Sequence, residues 1–199
     1  MGIYKTYSKR LKEAQNMGEV DVYVYDEIPE SLRIQIIHIW DDAIGHTYLR
    51  EDPIWDNIQK TMCRELGLFE LSSHCSSSAE ECREYIQRCN VESAIDIIEF
   101  SFSIIDKIIR QYSRFEMQER RITQEPDSAI AELNHRFKEY RVGYEFINGE
   151  IIRIDRQYIH EVAIKPAIRL LYEADFEGAS NEFLKAHEHY RKGHNRRAQ

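Results

Sequence analysis

A mainly α fold, a multi-helix bundle with one small β-hairpin near residues 144–154, is predicted by three features of the 199-residue sequence. Apolar residues recur at three- and four-residue spacing along most of the chain, which places them on one face of a helix. Residues that favour helix starts (Pro29, Asp52 with Pro53, Pro126) stand just ahead of these runs. One short stretch alternates instead, around Asn148-Gly149, the strongest local signal for a hairpin.

Tyr4, Tyr7 and Leu11 form a short amphipathic start, and an acidic, aromatic link follows in which Val22, Tyr23, Val24 and Tyr25 read as extended. Tyr23, Tyr25 and Tyr48 suit packing better than a ligand cage. The first long helix opens at Pro29, where a missing N–H costs nothing. Leu32, Ile36, Ile37, Ile39, Trp40, Ala43 and Ile44 fill one arc of its wheel, and Gln35, His38, Asp41 and Asp42 the other. Arg33 falls in the apolar arc, so it is expected to pair with an acid on a neighbouring helix.

A second helix, capped by Asp52, carries Trp55, Ile58, Met62 and Leu66. After a serine-rich loop over residues 72–78, Ser78-Ala79-Glu80-Glu81 reads as a capping box, with Asn90 ending the helix it opens. The longest helix is expected over residues 91–115, with Ala94, Ile95, Ile98, Phe102, Ile105, Ile109 and Tyr112 on its core face, and residues 116–124 as loop. The next helix opens at Pro126, turns Ile130, Leu133, Phe137 and Tyr140 inward, and stops near Gly143. In the hairpin that follows, a two-residue turn puts Tyr144, Phe146, Ile151 and Arg153 on one face. Asp155 then caps a helix kinked at Pro166, and a final helix spans residues 176–191 with a stripe of Phe176, Ala179, Phe183, Ala186 and Tyr190. That stripe either docks back or begins a second domain, and a basic tail follows it.

The net charge of −8 argues against a surface that coats nucleic acid or anionic membrane as a whole. The most apolar stretch, residues 95–109, is interrupted by Asp96, Glu99 and Asp106 and cannot span a bilayer. No secretory leader is legible, and Gly2 with Thr6 gives only a weak lipidation pattern. Cys63, Cys75, Cys82 and Cys89 lack the close pairs of a structural zinc site and read as free thiols in a reducing cytoplasm. His187, His189 and His194 suggest a metal, but His187 and His189 project about 160° apart on a helix, which does not favour a shared site, and no cofactor motif is present.

Several segments together resemble the AbiJ-type abortive-infection proteins of bacteria: Tyr7-Ser8-Lys9-Arg10, the run from Tyr25-Asp26-Glu27-Ile28-Pro29 to His38-Ile39-Trp40, Ala129-Ile130-Ala131-Glu132-Leu133-Asn134-His135-Arg136-Phe137, Val142-Gly143-Tyr144-Glu145-Phe146, Gly149-Glu150-Ile151-Ile152-Arg153, and the run from Glu182-Phe183 to Tyr190-Arg191. The resemblance covers almost the whole chain, and none of these motifs is catalytic. It implies a helical, sensor-like N-terminal domain over residues 1–175. Residues 176–199 would then be the first helix of a largely missing C-terminal HEPN-like domain, plus the basic tail. It also implies, as partners, that HEPN-like effector domain or protein and a phage-derived trigger. RNA and a second copy of the chain are left open, and a membrane is not expected.

The reading that follows is a non-catalytic sensing or regulatory module. Two alternatives rest on particular residues. HEPN ribonucleases use an Arg and a His four to six residues apart to handle the scissile phosphate and the 2′-hydroxyl proton. Arg33 and His38 meet that spacing, although on a continuous helix they project about 140° apart; Arg153 and His160, with six residues between them, also meet it, but one sits on a strand and the other on a helix. A helix followed by a hairpin also resembles a winged-helix nucleic-acid binder over residues 126–154. It would offer His135, Arg136, Lys138 and Arg141 to phosphates, interrupted by Glu132 and Glu139.

Overall fold

The computed structural model describes residues 3, 4, 6–8, 10, 11, 23–45 and 52–154. All but Ile154 belong to a unit spanning Met1–Arg153. The helices expected after Asp155, the boundary at residue 175, and Tyr48, His160, His187, His189 and His194 lie outside the described residues.

Helix α1 (Glu30–Ala43) follows Pro29 and buries Leu32, Arg33, Ile36, Ile39, Trp40 and Ala43. Helix α2 (Pro53–Leu66) starts as its sequence predicts: the Asp52 carboxylate accepts hydrogen bonds from the Ile54 and Trp55 amides at 3.1 and 3.4 Å. It stops at Gly67, whose φ of 68° is the left-handed conformation that ends many helices.

Helix α3 (Ser78–Arg88) is capped one residue earlier than expected. The Ser77 hydroxyl, not that of Ser78, accepts from the Glu80 amide at 3.3 Å, while the Glu80 carboxylate accepts from the Ser76 amide at 2.8 Å. Asn90 does not end α3. Its carboxamide oxygen accepts from the Ser93 amide at 2.8 Å and opens helix α4 (Val91–Lys107), after the chain turns through an extended Cys89. Asn serves either end of a helix, and here the unpaired amides of α4 are the ones within its reach.

The expected 25-residue helix is shorter. After α4 come a 3-10 turn (Ile109–Gln111), an extended Tyr112–Ser113 step and a separate helix α5 (Arg114–Glu119). The break is set by a reciprocal cap: the Ser113 hydroxyl accepts from the Glu116 amide, and the Glu116 carboxylate accepts from the Ser113 amide at 2.7 Å. That Ser-x-x-Glu pattern was present in the sequence and outweighs the continuing apolar period.

Helix α6 (Pro126–Glu139) buries Pro126, Ala129, Leu133 and Phe137. The chain leaves it through Arg141, at φ 54°, and not through Gly143. Gly143 is needed for a different reason: a Cβ there would lie 2.1 Å from Cε1 of the Tyr25 ring. The hairpin forms in the predicted register, β1 (Tyr144–Ile147) antiparallel to β2 (Glu150–Arg153), with Tyr144 opposite Arg153 and Phe146 opposite Ile151. Asn148 and Gly149 both take positive φ, as a two-residue turn matching the strand twist requires.

Helix α4 is the centre of this unit, packing against α1, α2, α3, α6 and β2. Ile97, Ile98, Phe102 and Ile105 from α4 are fully buried with Trp40, Trp55 and Phe137. Polar attachments hold the hairpin in place. The Asn134 carboxamide pairs with both the N–H and the C=O of Phe146, at 2.8 and 2.9 Å. The Glu99 carboxylate accepts from the Ile151 amide at 2.6 Å. Val24, in the segment expected to be extended, forms a parallel bridge with Val142: its amide donates to Arg141 and its carbonyl accepts from Gly143. Tyr4, Tyr7 and Leu11 are exposed. Among the described residues no helix is long and apolar enough to cross a membrane.

Candidate functional site

The sequence placed its candidate chemistry on α1 and α6, and the two helices pack against each other. On α1 the Arg33 side chain is buried, but no carboxylate among the described residues meets it. Its Nε donates to the Ile28 carbonyl at 2.9 Å, and Nη1 donates to the carbonyls of Ile86 at 2.5 Å and Cys89 at 2.9 Å, with Cys89 Sγ 3.7 Å away. Ile86 and Cys89 lie at the C-terminal end of α3, where carbonyls lack intrahelical partners and the helix dipole is negative. That end supplies what the sequence reading sought in an acid. His38, by contrast, is exposed, so the fold does not bring it to the Arg33 guanidinium. Arg153 is also occupied, its guanidinium stacked 3.9 Å above the Tyr25 ring.

On α6 the four expected phosphate contacts are not equivalent. Arg136 is drawn into the molecule, donating to Glu132 Oε1 at 2.7 Å and Glu139 Oε2 at 3.0 Å, with its side chain 12% exposed. The second oxygen of Glu132 accepts from Gln124 Nε2 at 2.8 Å, which extends the network to a buried glutamine. The acids that interrupted the basic face are therefore the partners of its central cation. His135 and Arg141 are half-buried, and Lys138 alone of the four is exposed.

Sequence reasoning missed a third arginine. Arg120 is buried just after α5, its Nη2 donating to both Asp52 oxygens at 3.0 Å and its Nε to the Ile44 carbonyl at 3.2 Å. It thus clamps the end of α1 to the cap of α2. Gly45 beside it has a φ of 66°, and a Cβ there would meet the Arg120 carbonyl oxygen at 2.2 Å. The position fell in a polar stretch read as loop, and only the tertiary contact reveals its role.

The thiols are unbridged. Burial is the main cause that pushes Cys63, Cys82 and Cys89 up, which favours the protonated form. Cys75 is raised chiefly by its hydrogen bond to Glu84, 3.1 Å from Sγ, and the same carboxylate oxygen accepts from Ser72. A protonated thiol is a poor nucleophile and a poor metal ligand. Among the described residues, no group of three or more His, Cys, Asp or Glu side chains is placed to hold a metal ion.

These features define a helical module whose arginines knit helix ends and neighbouring side chains together. The family follows from the sequence as a whole: the chain belongs to the AbiJ N-terminal domain 4 family, whose model matches residues 5–168. It is therefore an abortive-infection-associated domain. No curated protein and no solved structure matches the chain.

Proposed function

We propose that this domain is a non-catalytic sensing or regulatory module of a bacterial phage-defence protein, holding a HEPN-like effector inactive until a phage-derived trigger binds. The observation that carries the reading is the family match over residues 5–168. The geometry supports it: the buried guanidiniums of Arg33 and Arg120 and the half-buried one of Arg136 face carbonyls and carboxylates of the same chain. A guanidinium that stabilises a developing phosphate charge must be free to meet it.

The test is a growth and plaque assay in bacteria that make this chain alone, a HEPN-like ribonuclease alone, or the two fused. The expected result is normal growth with the chain alone and arrest in the fusion only after infection. Arrest or phage protection by the chain alone would contradict the reading.

A further inference from the structure

We infer that Asn148 is a site of covalent self-modification: in the native hairpin the Gly149 amide attacks its carboxamide, and hydrolysis leaves an isoaspartate that opens the turn. The asparagines among the described residues are Asn57, Asn90, Asn134 and Asn148. Asn57 accepts from the Thr61 hydroxyl at 3.4 Å, Asn90 accepts from the Ser93 amide at 2.8 Å, and Asn134 pairs with both backbone groups of Phe146. Asn148 differs from all three. It is exposed, its carboxamide has no hydrogen-bond partner among the described residues, and it alone in the chain precedes a glycine.

The turn keeps the attacking nitrogen available. Asn148 and Gly149 are its two central residues, at φ 54° and 88°, and Ile147 and Glu150 close the ladder behind them. In a two-residue turn of this kind the second central N–H lies outside the ladder. Gly149 has no side chain to shield that nitrogen. On the side where a Cβ would project, the end of Lys107 is all that lies within 4 Å, and that side chain is exposed and can turn aside. Its ammonium favours the anionic nitrogen that attacks, whereas the exposed Glu150 carboxylate opposes it, so charge does not decide the reaction.

The step needs no reactant but water. The Gly149 nitrogen loses its proton and bonds to Cγ of Asn148, the bond from Cγ to the carboxamide nitrogen breaks, and that nitrogen leaves as ammonia. Water then opens the five-membered imide. Attack at Cγ gives aspartate, and attack at the main-chain carbonyl leaves Cγ in the backbone as isoaspartate. Isoaspartate adds one methylene to a turn built for two residues, so Ile147 and Glu150 lose their pairing. The strand held by Asn134 and the strand held by Glu99 then no longer share a register. This modification stands apart from the sensing role and holds or fails without it.

Peptide mapping by mass spectrometry tests it, on the full chain aged at neutral pH either native or unfolded in urea, with isoaspartate counted by enzymatic methyl transfer. In the native chain Asn148 is expected to convert faster than Asn57, Asn90 or Asn134 by about tenfold or more, equivalent to about 1.4 kcal/mol of barrier. The isoaspartyl fraction, once separated, should melt below the unmodified chain. Asn148→Gly suits a positive φ and lacks the carboxamide, so it should melt near wild type and yield no isoaspartate in this peptide. An Asn148 that persists in the native chain while the urea-unfolded chain loses it would overturn the proposal. So would conversion no faster than at the other three asparagines, or an isoaspartyl fraction that melts with the unmodified chain.

Discussion

Two arginines, Arg33 on α1 and Arg136 on α6, each carried an alternative functional reading, and both are taken inward by different means. Arg136 is held by two carboxylates of its own helix, one turn before it and three residues after it. Arg33 is held by backbone carbonyls, two of them at the end of α3, a helix more than 50 residues away in sequence. The first arrangement is local and partly open to solvent. The second joins α1 to the C-terminal end of α3 and is buried. The contrast teaches that a buried cation does not require an acid, because an unpaired helix end is itself an acceptor.

The largest effect should come from Arg33→Met. It would leave the carbonyls of Ile28, Ile86 and Cys89 without their donors in a buried setting, a loss of about 3 kcal/mol. Urea unfolding should show the midpoint falling with the slope unchanged, and an unchanged midpoint would refute the clamp. Next comes Gly143→Ala, where the added Cβ collides with the Tyr25 ring and displaces it from its edge contact with Tyr144 and from beneath Arg153. Displacement of that kind costs about 2 kcal/mol, and thermal melting would register it.

Arg136→Met should cost less, about 1 kcal/mol, because its ion pairs join half-buried residues of a single helix, whose freed carboxylates can turn to solvent. Raising the salt should shrink that difference while leaving the Arg33 effect nearly intact, which sharpens the distinction between the two sites. Equal salt dependence would mean that Arg33 is less enclosed than its contacts imply.

The smallest effects are in the pH dependence, and they oppose each other. Burial, with repulsion from Glu99 and Glu92, raises the Asp96 carboxyl above 3.8, so the folded chain binds its proton more tightly than the unfolded chain does. That contribution favours folding below 3.8 and is lost as the pH rises through the elevated value. Asp96→Asn should therefore raise the melting temperature slightly at pH 7 and bring no gain in acid. The hydrogen bond from Arg110 pulls the Asp127 carboxyl below 3.8, so its contribution is present above that value and disappears as the pH falls through the depressed one. Asp127→Asn should lower the melting temperature slightly at pH 7. Melting curves at pH 3 and pH 7 that showed the same sign for both variants would contradict these assignments.

The parts legible in the sequence were those fixed by neighbours along the chain. The Asp52 cap, the α4 core face and the hairpin register around Asn148-Gly149 all rest on residues within a few positions of one another. The break between α4 and α5 was equally local, yet the apolar period through Tyr112 hid the Ser113–Glu116 cap. Long-range partners were not legible. Nothing near Arg33 in sequence points to the end of α3, and nothing near Arg120 points to Asp52. Gly143 was read as a helix stop, whereas its role depends on Tyr25, 118 positions earlier. Of the candidate site, the spacing of Arg33 and His38 was visible, and so was their angular separation; the burial of one and the exposure of the other agree with the angle and not with the spacing.

The claim at the centre of this account is that the chain has no reactive centre built from Arg33 and His38. A time course of single-stranded RNA incubated with the purified chain and with its His38→Ala variant tests that claim. The account predicts intact RNA in both, and cleavage by the wild type that the substitution abolishes would contradict it.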